Sequence, residues 1–502
     1  MLRNISETKG KYSIIVNNYG DYFSIPLSKE GSKFFGYFLR YDLYKEPLRI
    51  LTIFPPFQAS KIVESMNKIS LFSEHNFIEI EISDGLLISH NLPFLEIYLD
   101  CMPRYCFEPF GKEFVFSENY FKFRFREKLI VHGEISTINP VGWEKIEWDF
   151  DKKRNSEITE YWMYKIRTTD KNFTIRVTDV FDEKNYKIHR PKIQTPYHIF
   201  SDIDYSLNKL LVKYNDYFLP FAGFWWFDQF WIRDIAYSFY AFSDEKILKI
   251  LIEEILKRKK RLNRIPETET ESFDGPLLLG ILAFKHCYIE ESKRILELFD
   301  YFVNENTLKI PKKTSWTDTI ERDAIEIHCF WLELQRLIHN RFSEDEIKSI
   351  VKRKMQNFDY NIILATYFLP YLDDLFLNYI DKIIEEYSIE NEKYFCIITE
   401  NKKSLNYVSI HTGENSKSYH QGDGWIFLTN FFGLILHRLL KKNKIDNKYE
   451  EILKKIRNLN EDFIEDGIIG GLPELTDSTF QQKGALLQLW SLATWKLLSH
   501  KL

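Results

Sequence analysis

Phe77-Ile78-Glu79-Ile80-Glu81-Ile82 sets isoleucine at every second position and glutamate between, the period of a strand with one face in a core and the other in water. Tyr120-Phe121-Lys122-Phe123-Arg124-Phe125-Arg126 repeats the alternation with basic residues on the outer face. Working outward, Leu95-Glu96-Ile97-Tyr98-Leu99, Tyr164-Lys165-Ile166-Arg167 and Phe173-Thr174-Ile175-Arg176-Val177 read the same way. Turn signals such as Ser83-Asp84-Gly85 and Asn139-Pro140 separate them. Residues 1–195 are therefore expected to form an antiparallel β-sandwich.

From about residue 200 the apolar period lengthens to that of a helix and stays there. Helices are expected near 200–214, 231–243, 245–260, 275–287, 290–304, 323–339, 343–357, 361–371, 373–386, 422–440, 447–464 and 481–499. Such a run suits an open bundle, an α-solenoid or a closed barrel of six helix pairs, and periodicity does not choose among them. No motif recurs at fixed length, which counts against a solenoid. The second domain is read as residues 196–502, and the fold class as α+β.

A chain of 502 residues exceeds what a single core usually holds, so two domains fit its length. With 44% hydrophobic and 28% charged residues it is an ordinary globular composition. The net charge of −5 provides no basic footprint for nucleic acid. The one basic run, Lys257-Arg258-Lys259-Lys260-Arg261, closes an amphipathic segment, where cations suit a helix C-terminus. Five scattered cysteines, Cys101, Cys106, Cys287, Cys329 and Cys396, argue against a disulfide framework, and no zinc spacing accompanies them. The chain opens without an apolar signal segment and nowhere approaches a membrane span, so a cytoplasmic protein with no membrane partner is expected.

Acids, tryptophans and glycines gather in the loops between the helical stretches, where binding residues tend to sit. Phe224-Trp225-Trp226-Phe227 with Trp231-Ile232-Arg233-Asp234 could set an aromatic wall and a polar clamp against a sugar; a buried ion pair under an aromatic core is the plain alternative. Asp274, in Ser272-Phe273-Asp274-Gly275-Pro276, reads first as a helix cap. In Ser315-Trp316-Thr317-Asp318, with Glu321, Arg322, Asp323 and Glu326 following, the indole beside Asp318 would raise its pKa and favour a proton donor, though the position also suits an N-cap. Tyr419-His420-Gln421-Gly422-Asp423-Gly424-Trp425 suits a substrate loop, while His420 could equally be satisfied by backbone groups. Gly470-Gly471-Leu472-Pro473-Glu474 shapes a turn that presents an acid.

Inverting glycoside hydrolysis needs one protonated and one ionised carboxyl about 6.5–9.5 Å apart. Asp318 and Glu474 qualify, and Asp234, Asp274, Glu326 and Asp423 qualify chemically as well. No phosphate loop, nucleophile elbow or H-E-x-x-H pair offers a rival chemistry.

In this order the segments resemble the glycogen debranching enzyme family, in its amylo-α-1,6-glucosidase part, over about residues 215–500. Trp231-Ile232-Arg233-Asp234 is similar to the family's Trp-Gly-Arg-Asp, and Ser315-Trp316-Thr317-Asp318 to its Thr-Trp-Met-Asp. Tyr419-His420-Gln421-Gly422 with Trp425 resembles Tyr-His-x-Gly-x-x-Trp. Gly471-Leu472-Pro473-Glu474-Leu475-Thr476 with Gln488-Leu489-Trp490-Ser491 is the most specific likeness. Ile232 stands where the family has Gly, and Gln421 where a basic residue is frequent.

The resemblance implies an (α/α)6 toroid barrel behind the β-domain and an inverting mechanism that needs no cofactor or metal. It implies Asp318 as general acid and Glu474 as general base. Arg233 and Asp234 would hold the terminal glucose, with Trp226, Trp316 and Trp425 walling the pocket. Trp231, Asp274, Glu326 and His420 complete the expected substrate contacts. The expected substrate is glycogen or an α-gluco-oligosaccharide, cut at an α-1,6-linked glucose stub. The alternatives are a glucoamylase-like or trehalase-like helical-barrel glycosidase and a non-catalytic glycan-binding protein.

Overall fold

The computed structural model describes residues 3–5, 10–27, 31–108, 110–153, 156, 158–190, 201–265, 271–304, 307–319, 323–413 and 418–502, with residues 3–5 and 10 by their backbone alone. The chain divides into two compact units, Met1–Asp216 with Ile464–Gly470, and Tyr217–Phe463 with Gly471–Leu502.

The first unit is built on two large sheets. The alternating stretch Phe77–Ile82 is a strand between Lys68–Phe72 and Leu86–His90, in a ten-stranded sheet that ends at Lys112–Ser117. The other sheet has eight strands, from Asn139–Glu147 at one edge to Gly10–Val16 and Gly467–Ile468 at the other. Strands pair antiparallel except at that last edge, where Gly467–Ile468 runs parallel to Gly10–Val16. Ile78, Ile80 and Ile82 from the first sheet share one buried core with Phe23, Ile50, Ile97 and Ile166 from the second. Burial of that shared face is what the period of two specified.

The compact division falls at Asp216, later than the change of period in the sequence, for a visible reason. Helix Asp202–Lys209 is tied into the β-rich unit by Glu64, which accepts hydrogen bonds from Ser13, Tyr205 and Lys209 in full burial. The helix expected over 200–214 stops at Lys209, and Leu211–Tyr214 is a strand.

In the second unit, six helices follow one another in a closed order of contacts. Ile232–Phe242 packs on Asp274–Lys285, which packs on Ile325–His339, then Ile362–Phe368, Ile426–Lys441 and Leu489–Ser499, which returns to Ile232–Phe242. These helices are buried nearly all round: every residue of 274–283 and of 426–436 is inside. Ile289–Glu297, which packs outside Asp274–Lys285 and Ile325–His339, buries only Ser292, Ile295 and Leu296. Helices apolar all round beside helices with a single buried stripe is the partition expected where some helices are enclosed by their neighbours and others face water. Two expected helices start later than their apolar patterns suggest. Gly424–Trp425 pairs as a strand with Leu475–Thr476, so that helix begins at Ile426; Leu487–Gln488 pairs with Gly223–Phe224, so the last begins at Leu489.

No helix among the described residues is long and apolar enough to cross a membrane. All five cysteines are free thiols.

Candidate active site

The nominated residues cluster at one end of the six-helix cycle, because each of those helices begins there. Arg233 and Asp234 open the first, Asp274 the second and Glu326 the third, while Asn361, Trp425 and Gln488 stand just before the other three. Cross-links join neighbouring ends. Tyr237 Oη donates to Asp274 at 3.5 Å, Trp316 Nε1 to Asn361 at 2.9 Å, and Gln488 Nε2 to Asp234 at 3.3 Å. Helix N-termini present unpaired N–H groups and partial positive charge, so a ring of them is an apt seat for carboxylates.

Arg233 is the hub. Its Nε lies 3.5 Å from Asp234 and its Nη1 3.5 Å from Asp318. The guanidinium rests over the rings of Trp231 and Trp490, 5.6 Å from each centroid. Burial works against its charge, but Asp234, Asp318 and Asp274 hold it firmly protonated. Gly275 allows this close approach: a Cβ there would lie 2.8 Å from the Arg233 Cα.

Asp318 keeps 35% of its side chain open to solvent, whereas Glu474 is 2% exposed. Burial raises the Asp318 carboxyl above its ordinary value against the pull of Arg233. Glu474 accepts a hydrogen bond from the Tyr419 hydroxyl at Oε1 and one from the Ala485 N–H at Oε2, at 3.3 Å. Both donors favour the anion, yet burial outweighs them and pushes the Glu474 carboxyl up to about 8. Asp234 is pushed up by burial to about 6.

The segments that carry these two acids meet at Tyr419. Thr319, next to Asp318, donates its hydroxyl to the Tyr419 carbonyl at 3.3 Å and lies 2.7 Å from Nδ1 of His420. The Tyr419 hydroxyl feels the charges of both Glu474 and Asp318, which together with burial keep it protonated and so a donor.

Other nominated residues lie beneath this surface. Asp274 and Glu326 are fully buried. Asp274 accepts from Ser272 Oγ and, at 2.8 Å, from the Gly275 N–H. Glu326 accepts from Ser315 Oγ at 2.6 Å, and burial with the charges of Asp359 and Asp274 drives its carboxyl well up. Trp316 and Trp425 are also interior, their rings edge to face at 4.9 Å, with His420 stacked on Trp425 at 4.7 Å. Trp226 and Trp231 are the half-buried rings of the set, Trp226 beside Trp225 and Phe227, and Trp231 against Phe227 at 6.0 Å. Glu321 and Arg322 lie outside the described residues.

Sequence reasoning left out Tyr419 and Gln488 as site residues, although both stood in quoted motifs. It missed Thr319 and Asn361 altogether, since their parts depend on contacts across distant segments. Among the described residues no group of His, Cys, Asp and Glu is set to hold a metal ion.

Taken whole, the chain is similar in fold to a bacterial glucoamylase solved with acarbose, at 10% identity and a TM-score of 0.54, covering 98% of this chain and 93% of that one. A family 76 glycoside hydrolase from a bovine Bacteroides thetaiotaomicron strain is 11% identical with a TM-score of 0.37, covering 78% of this chain and 98% of that one. The fold it shares is that of the glucoamylase. More particularly, residues 381–496 match the family model described as amylo-alpha-1,6-glucosidase, in agreement with the resemblance read from the motifs. That segment carries Tyr419, Trp425, Glu474 and Gln488. No curated protein matches the chain.

Proposed function

We propose that the protein is an inverting exo-acting glycoside hydrolase that releases terminal glucose from α-glucan, with α-1,6-linked branch stubs of glycogen as the preferred target. The helical unit, Tyr217–Phe463 with Gly471–Leu502 rather than the whole of 196–502, is the catalytic domain, and the six-helix cycle is the inner ring of an (α/α)6 barrel. Asp318 is the general acid, Glu474 the general base, and water the nucleophile. Arg233 and Asp234 receive the terminal sugar, whose hydroxyls need paired donors and acceptors once desolvated. Trp226 and Trp231 form its apolar wall, and Asp274, Trp316, Glu326, His420 and Trp425 hold that wall and the two acids in place from below. The reaction needs neither metal nor cofactor, and the protein works in the cytoplasm.

The observation that carries this reading is that Tyr419 bonds Glu474 through its hydroxyl while its carbonyl accepts from the residue beside Asp318. Two acids 156 positions apart in sequence are thereby drawn to one place. The more exposed acid suits the leaving-group side, where the rest of a glucan must extend into solvent, and the enclosed one suits an activated water. The likeness of residues 381–496 to amylo-alpha-1,6-glucosidase supports the linkage.

The fold shared with glucoamylase favours a second reading, an exo-glucosidase acting on α-1,4 ends. Glucose release from phosphorylase-limit dextrin, panose, isomaltose, maltose and trehalose, side by side, separates the two. Preference for limit dextrin and panose with β-glucose as the first-formed anomer is expected. Preference for maltose, or α-glucose as first product, overturns the linkage or the stereochemistry respectively.

A further inference from the structure

Next to the catalytic pair, a second polar cluster holds the Tyr419 turn. His411 Nδ1 lies 3.0 Å from Asp423 Oδ2 and 3.4 Å from Ser418 Oγ, with the His411 side chain 6% and the Asp423 side chain 0% exposed. The backbone N–H of the same histidine donates at 3.1 Å to Oδ2 of Asp477, three residues after Glu474. His411 thus reaches the Tyr419 turn with its ring and the Glu474 turn with its main chain.

The stretch around it repeats that bridge. Val408 N–H donates to the Gln421 carbonyl at 2.9 Å, Thr412 N–H to Ser418 Oγ at 2.9 Å, and Ser478 N–H to the Ser409 carbonyl at 3.0 Å. Gly422 is needed beneath it, because its φ is +144° and a Cβ there would lie 2.2 Å from the Val408 carbonyl oxygen. Among the described residues, the charged groups around the histidine are Asp423, Asp477 and Lys483, whose Nζ is 3.7 Å from Asp477. Two carboxylates this deeply buried are stable beside each other only with donors set between them, and His411 supplies one to each.

We propose that His411 is a positioning residue that latches the Tyr419 turn to the Glu474 turn, so that the Tyr419 hydroxyl stays on the base. The inference rests on Glu474 being that base. His411 touches no substrate and acts only through Tyr419. When the latch is lost, Tyr419 swings off Glu474, the carboxylate loses a donor, and its proton is held to higher pH.

The test uses the full chain with His411→Leu, which removes the ring's hydrogen bond, and His411→Gln, which keeps a donor toward Asp423. On panose, His411→Leu is expected to lower kcat about tenfold or more, the effect of one hydrogen bond to a charged group. KM should hold within about threefold. The acid limb of the pH profile should move to higher pH, and His411→Gln should recover most of both effects. Amide exchange over 407–413 and 418–423 should quicken in His411→Leu and not elsewhere. A lowered kcat with an unmoved limb shows a merely structural role and overturns the proposal, as does wild-type exchange in both segments. If the unaltered protein releases no glucose from any α-glucoside, the functional reading fails by itself, and the exchange experiment still decides the latch.

Discussion

Tyr419 donates its hydroxyl proton to Oε1 of Glu474, and burial with two neighbouring carboxylates keeps that hydroxyl from ionising. For a buried base such a donor matters, since without it the Glu474 carboxylate would keep the Ala485 N–H at Oε2 but lose its partner at Oε1. Tyr419→Phe removes the donor and leaves the ring. The expected outcome is a kcat lower by about tenfold to a hundredfold with the ascending pH limb moved upward, read on panose across pH 5 to 9. An unmoved limb would mean that Tyr419 does not govern the proton on Glu474.

In the proposed mechanism the more exposed Asp318 is the acid and the enclosed Glu474 the base, and that reading has its own consequence. An acid is needed only when the leaving group is poor; fluoride departs without a proton. Asp318→Asn should therefore lose about 10²–10⁴-fold in kcat on panose yet keep most of its rate on α-glucosyl fluoride. Glu474→Gln should fail on both substrates. The reverse pattern would exchange the two roles while leaving the substrate reading intact.

How much of this was legible in the sequence depends on the scale. The alternation of Phe77–Ile82 announced a half-buried strand because one-sided burial leaves a period of two in the residues themselves. The closing strand Gly467–Ile468 left no such mark: it is two residues long and its partner, Gly10–Val16, lies at the far end of the chain. The helix patterns over 422–440 and 481–499 ran too far toward the N-terminus, because Trp425 and Leu487 continue the apolar pattern yet are taken up by strand pairing. The acids of the site were visible as residue types in loops. Their depth was not: Asp274 and Glu326 sit at helix starts, and a helix start looks the same in sequence whether it faces water or a core. His411 left no signal, since its role lies in joining two turns 54 positions apart.

Glycine at position 484 is expected to be indispensable for activity. Its φ is +68°, and a Cβ there would lie 2.4 Å from Oε2 of Glu474 and 2.9 Å from its Cβ. Gly484→Ala meets two penalties: about 1–2 kcal/mol for a side chain in the left-handed region, and displacement of the base. The displacement should show as a fall in kcat of about tenfold or more, larger than the stability loss alone explains, when unfolding and panose hydrolysis are measured on one preparation. Wild-type turnover in this variant would place Glu474 outside the chemistry.

Stability should fall as the pH rises, and the reason lies in the same acids. Burial raises the carboxyls of Glu474, Asp234, Asp274, Asp318 and Glu326. A carboxyl whose folded pKa is raised keeps its proton in the native state after the unfolded chain has released it, so the native state binds more protons and loses ground as pH increases. For Glu474 the window runs from its ordinary 4.5 up to about 8, and for Asp234 from 3.8 up to about 6. The contribution is fully present below these windows and lost across them. Denaturant unfolding at pH 5 and pH 8 should therefore show a native state weaker at pH 8 by a few kcal/mol, about 1.4 kcal/mol for each pH unit over which one proton's difference persists. Glu474→Gln cannot ionise, so it should show a shallower loss between pH 5 and 8 than the unaltered protein. Equal slopes in the two proteins would mean that Glu474 keeps an ordinary carboxyl pKa in the fold and that its enclosure by Tyr419, Ala485 and Gly484 is looser than these contacts indicate.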